Sequence, residues 1–151
     1  MYGENLEISP TGLLDTWLGQ MIEGGEVSYI EPTDVIGKQG GQMIIDGVEI
    51  EFMFAPGEAP TDMHFYSPQH KLLHCSDNCY MCLHTVHTIR GAFPRDAMQW
   101  ANSVARSLEF DSAEYLVSGH NWPVFGKDNI QKFLGQQRDG IKFMHDQTLR
   151  M

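Results

Sequence analysis

The chain is short of basic charge, long apolar runs, cysteine and closely spaced histidines, and each shortage removes a class of function. Its 10 Lys and Arg stand against 20 Asp and Glu, for a formal net charge of −10 and a pI of about 4.9. With no basic run to offset that balance, a nucleic-acid backbone or an anionic membrane is excluded as the main partner. A small anionic substrate is not, because one Arg in a pocket outweighs a distant surface field. No apolar stretch approaches the ~18 residues of a membrane span. The opening Met1-Tyr2-Gly3-Glu4-Asn5 has neither the basic region nor the apolar core of a secretory signal. The compartment is therefore open, with cytoplasm as the default expectation. Three cysteines supply no disulfide framework. No two of the seven histidines stand two apart, so a metal-binding run of the type His-x-His-x-Asp-His is missing.

What remains is an ordinary globular composition, 42% hydrophobic and 20% charged over 151 residues. That length predicts a single domain, residues 1–151, burying roughly 70% of the surface its unfolded chain exposes. Leu13, Leu14, Trp17, Leu18, Met21 and Ile22 sit at helical spacing. Val27-Ser28-Tyr29-Ile30 reads as a strand ended by Pro32. Gln42–Ile45 and Val48–Phe54 flank Asp46-Gly47, a pair suited to the positive φ angles of a type I′ hairpin turn. Val48, Ile50, Phe52 and Phe54 alternate with Glu49, Glu51 and Met53, as in a half-buried strand.

Two further strands are predicted over 63–66 and 72–75, then a helix from about Cys79 to Ile89 capped by Asp77 or Asn78. Pro94 is placed for a helix first turn, with Arg95 to Leu108 following. Tyr115-Leu116-Val117 reads as a short buried strand and 128–150 as a last helix, weakened at Gly135 and Gly140. Strands, helices, strand and helix in that order suit one layer pair of an α/β sandwich.

Glu58, Asp77 and His120 each follow a predicted strand, where sites tend to gather. A carboxylate pair and an imidazole suit a hard or borderline cation such as zinc. Taken singly, a strand-end acid is more often a solvated turn residue, and Asp62 and Glu51 read that way. Cys75, Cys79 and Cys82 form Cys-x3-Cys-x2-Cys, the spacing that holds a four-iron cluster in radical S-adenosylmethionine enzymes, although that family's barrel is longer than this chain. The plainer reading buries Cys79 and Cys82 in a helix. On such a helix His84 and His87 would share a face. His64 and His74 read as strand residues with structural partners.

Several separated runs are more specific. Gly57 to Tyr66, Asp77-Asn78, Thr88 to Ala92, Gly119 to Pro123 and His145 to Arg150, with the opening Met1-Tyr2-Gly3, together resemble the alkyl sulfatases of the metallo-β-lactamase superfamily in order and distance. That resemblance implies half of an αββα sandwich, a mixed sheet of about five strands with flanking helices. It also implies two zinc ions and hydrolysis of alkyl sulfate esters.

By matching motif, Glu58 is the carboxylate on one metal, while Asp77 (where the family usually has Glu) and His120 serve the other. Arg90 is the arginine that grips the sulfate, and Tyr2 lies near the sulfate pocket. The family's histidine-rich half has no counterpart here, nor do its dimerisation and sterol-carrier-like regions. The expectation is a chain inactive alone, either completed by another chain or self-associating through the uncovered sheet face as a homo-oligomeric, non-enzymatic interaction module.

Overall fold

A computed structural model of the chain describes residues 7, 9, 10, 26, 28–88 and 93–151. Two compact units are present, one of Met1–Val35 with Ile89–Ala92, the other of Ile36–Thr88 with Phe93–Met151. In the first unit the described residues carry no helix or strand, so 28–30 are not the expected strand. The helix expected over 13–22 lies outside the described residues, as do Tyr2 and Arg90.

The second unit holds all the helices and strands found among the described residues. The hairpin forms as read, with β1 (Gly41–Ile45) and β2 (Val48–Phe54) in a register that pairs Ile45 with Val48. The turn residues Asp46 and Gly47 have φ of 49° and 80°, the positive values a type I′ turn requires. Next come β3 (Met63–Ser67), β4 (Leu72–His74), α1 (Ala97–Ser107), β5 (Tyr115–Val117), β6 (Val124–Phe125) and α2 (Lys127–Arg150). The sheet has six strands in sequence order, one more than expected; the addition is the two-residue β6, too short to announce itself by periodicity. All neighbours are antiparallel except β4 and β5, which run parallel with α1 as the crossover between them. Parallel neighbours need such a long connection, so this is the one place where a helix interrupts the meander.

Both helices pack on one face of the sheet. Leu73 and Leu116 from the strands meet Trp100 and Val104 of α1 and Ile130, Leu134 and Ile141 of α2 in one buried cluster. Full burial of each aliphatic side chain contributes about 1.5–3 kcal/mol relative to exposure. The other face carries Phe52, Phe65 and His74 as cross-strand neighbours, with Phe52 edge-on to Phe65 at 5.8 Å between ring centroids. The alternation expected of β2 fails at its far end: Phe52 and Met53 point to opposite faces, yet both are buried. Met53 is paired with His64 on the helix side, while Phe52 lies against Phe65.

The helix expected from Cys79 to Ile89 does not form; Cys79–Thr88 is irregular. Its carbonyls are taken by donors from elsewhere in the chain: Trp100 Nε1 donates to Asn78 O, Ser118 Oγ to Cys79 O, Arg95 Nη1 to Thr85 O and Arg95 N to Val86 O. Those partners hold the segment in an irregular path in place of an i to i+4 ladder. Thr85, Val86 and Thr88 also place β-branched residues there, which weakens the helical alternative.

Helix α1 starts later than Pro94 suggested. Its N-cap is Asp96, whose Oδ1 accepts from Gln99 N at 2.9 Å. Helix α2 runs through Gly135 and Gly140 without a break. Packing of Ile130, Leu134 and Ile141 outweighs the propensity loss of about 1 kcal/mol per Gly.

Candidate functional site

Strand direction determines where the candidate ligands meet. β2 and β4 are each antiparallel to β3, and β5 is parallel to β4, so β2, β4 and β5 all run the same way. Their C-terminal ends share one end of the sheet, and Glu58, Asp77 and His120 lie in the three loops that leave it. Backbone bonds draw the last two loops together: Cys75 N donates to Val117 O at 3.0 Å and Gly119 N to Ser76 O at 2.8 Å. Asp77 Oδ1 then lies 2.7 Å from His120 Nδ1. Gly119 makes the approach possible, since a Cβ there would stand 2.1 Å from Asp77 Oδ1.

The Glu58 loop is tied to the same end by local bonds that the sequence reading did not foresee. Asp62, taken there for a solvated acid, accepts from Ala59 N through Oδ2 at 2.8 Å, and Ala55 N donates to Asp62 O at 2.9 Å. Burial pushes the Asp62 carboxyl up; the Ala59 amide opposes that shift, and the nearby Glu58 and Asp77 charges reinforce it. Asn78 Oδ1 accepts from Glu58 N at 2.8 Å, joining the first loop to the second. Gly57 permits that contact, because a Cβ at 57 would stand 2.2 Å from Asn78 Oδ1.

Arg95 is the residue most clearly missed. Its Nη2 pairs with Glu58 Oε1, its Nε donates to Glu58 O at 2.8 Å, and its Nη1 reaches Thr85. The guanidinium also lies over the Trp100 ring at 5.8 Å. A lone arginine ahead of a helix start reads as an end-of-helix charge, and only the folded-back loop shows its partner.

His84 enters the site through that loop. Its Nε2 stands 3.9 Å from Glu58 Oε1, and its basicity is lowered by burial first and by Arg95 second. His87 is exposed, so the two histidines do not act as a pair. Tyr80 bridges the remaining gap, with its ring 5.0 Å from that of His84 and 5.5 Å from that of His120. Burial, with Asp77, Cys82 and Glu58 adding, pushes the Tyr80 hydroxyl up to about 12.

Oxygen and imidazole donors in an acidic surrounding suit a cation. Among the described residues, however, no three Asp, Glu, His or Cys side chains converge tightly enough to hold one. The three cysteines are divided as well, with Cys75 and Cys79 buried and Cys82 exposed, so the cluster-binding geometry is not formed. Tyr2 and Arg90 have no described position from which to judge their roles.

Known proteins resemble the chain in sequence and in fold. The whole chain is 36% identical, over 154 aligned positions, to a linear primary-alkylsulfatase of Pseudomonas sp. The stereoselective inverting sec-alkylsulfatase Pisa1 from Pseudomonas sp. superposes with a TM-score of 0.76 and 40% identity over 80% of the chain. The chain is similar in sequence and fold to a segment of the alkylsulfatases, and its fold is that of the metallo-β-lactamases. It spans 23% of the first relative's length and 19% of the second's, so it corresponds to one segment of an alkylsulfatase. The wider superfamily fold is evident in a metallo-β-lactamase family protein from Thermus thermophilus, with a TM-score of 0.57 at 14% identity over 75% of the chain and 36% of that protein. No protein-family model matches the chain.

Proposed function

We propose that the chain forms one wall of a two-metal sulfate-ester hydrolase site, the wall that brings two carboxylates and a histidine. The observation that supports this most is the shared end of β2, β4 and β5, where Asp77 Oδ1 and His120 Nδ1 face each other at 2.7 Å. Two donors on one tetrahedral zinc stand about 3.3 Å apart, given arms of ~2.05 Å. The exposed His120 side chain can open the pair by that small amount. Asp77 is shorter than Glu by one bond of ~1.5 Å; the close seating against Gly119 compensates for the lost reach.

Glu58 serves the other metal, with Arg95 holding Oε1 and thereby orienting the carboxylate. Metals held there by Glu58, Asp77 and His120 would supply Lewis-acid activation of water for ester hydrolysis. By motif alone, Arg90 corresponds to the arginine that would grip the sulfate through paired planar hydrogen bonds and Tyr2 to a tyrosine near the family's sulfate pocket; both lie outside the described residues. The His-x-His-x-Asp-His ligands come from outside these 151 residues, and the chain alone does not turn over a sulfate ester.

The test is a zinc titration followed by calorimetry. Uptake by the chain, lost in Asp77→Ala and in His120→Ala, is expected; equal uptake by all three would sink the assignment. Dodecyl sulfate hydrolysis by the chain alone would overturn the need for a second half. A second reading, a self-associating interaction module, is favoured by the sheet face that carries no helix among the described residues, where Tyr115 and Phe125 are exposed side by side at 6.1 Å. It expects a dimer by light scattering, and a strictly monomeric chain at high concentration would contradict it.

A further inference from the structure

Four side chains that carry no part of the proposed chemistry are buried behind the ligand loops: His64 and Ser107 at 0% exposure, Asn78 at 1% and Ser103 at 4%. Their hydrogen bonds can be oriented in only one way. The Glu58 amide is solely a donor, so the Asn78 atom 2.8 Å from it is the carbonyl Oδ1. The Ala55 carbonyl is solely an acceptor, so the Asn78 atom 2.6 Å from it is Nδ2. That same Nδ2 stands 2.8 Å from His64 Nε2, which must then offer a lone pair. A neutral imidazole has one N–H, and it is left on Nδ1, aimed at Ser107 Oγ at 2.5 Å. The Ser107 hydroxyl donates onward to Ser103 O at 3.4 Å, and Ser103 Oγ donates to Pro56 O at 2.8 Å. The backbone of residues 55, 56 and 58 is thus gripped from both ends of one buried relay.

We propose that His64, with its single ring proton on Nδ1, is a positioning residue: it fixes which edge of Asn78 donates, and Asn78 holds the Glu58 loop against the Asp77 loop. The positioning role rests on the metal-wall reading of those loops; the relay itself does not. His64 cannot touch substrate or metal from this site. It acts through Asn78, whose backbone carbonyl accepts in addition from Trp100 Nε1 at 2.9 Å. An apolar side chain at 64 would leave an Asn78 N–H without a partner and free the amide to rotate away from Glu58 N. A glutamine there keeps an acceptor near the position of Nε2.

The experiment uses the whole chain labelled with nitrogen-15 in histidine and in the backbone. His64 is expected as the Nδ1–H tautomer, and the Glu58 amide is expected to be protected from hydrogen exchange. His64→Leu should speed exchange at Glu58 by about tenfold, the loss of roughly one hydrogen bond, while core amides such as Ile130 stay protected. His64→Gln should restore the protection. A proton on Nε2 would overturn the proposal, as would a Glu58 amide equally protected in the Leu variant. If the Leu variant does not fold, the wild-type tautomer and the Gln variant decide. Absence of zinc uptake by the wild type, with the tautomer and exchange results as expected, would sink the metal-wall reading and leave the relay standing.

Discussion

His64 makes stability fall with acid in a way that can be worked out in advance. Burial lowers its pKa from 6.5 to about 3, with His74 and Arg106 opposing the extra charge. In the folded chain the ring stays neutral over most of the acid range, while in the unfolded chain it takes up a proton below about 6.5. The unfolded state then binds more protons, so stability is intact above that value and is lost as pH falls toward about 3. The slope is about 1.4 kcal/mol per pH unit, so between pH 7.5 and pH 4.5 the integrated loss is about 2–3 kcal/mol. That is a large share of the ~5–15 kcal/mol that holds a domain together.

The assay is urea unfolding at both pH values, followed through the buried Trp100, for the wild type and for His64→Gln. Every other titrating group is common to both proteins, so the stability difference between them isolates this ring. That difference should shift against the wild type by about 2–3 kcal/mol on acidification. Parallel curves would refute the reasoning, because they would mean that the ring is protonated or exposed in the folded chain.

Gly119→Ala should cost about 1–3 kcal/mol by overpacking against Asp77 and should shift the His120 ring signals in an NMR spectrum; an unchanged spectrum would show that the two loops are not in contact. Arg95→Ala should destabilise by about 2–4 kcal/mol in denaturant unfolding, since it leaves the Glu58 carboxylate and the Glu58 and Thr85 carbonyls without that donor. Arg95→Lys should recover less than half, because an ammonium cannot reproduce the planar fork. In an ultraviolet titration one phenol should ionise near pH 12, the value to which Tyr80 is raised, and Tyr80→Phe should remove that step.

The hairpin was legible because Asp46-Gly47 carries a local conformational demand that no tertiary contact needs to supply. Helix α2 was legible for a similar reason, its apolar side persisting across two glycines. Residues 79–88 were misread because a helical pattern there competes with partners that lie far off in the chain, Trp100, Ser118 and Arg95. Glu58, Asp77 and His120 could be picked out by their motifs, whereas Arg95, Tyr80 and His84 could not, since nothing in their neighbours along the chain marks them as site residues.

Local turn chemistry, hydrophobic spacing and a handful of motif residues thus lay in the one-dimensional string and pointed to the fold and to the loops that carry the candidate residues. Strand direction and long-range hydrogen bonding lay outside it. They brought those loops to one end of the sheet, placed a guanidinium on Glu58 and buried a histidine with a defined proton behind Asn78. The reason is physical: a donor and an acceptor must meet within about 3 Å to bond, and only the packed chain brings residues 14 to 47 positions apart that close.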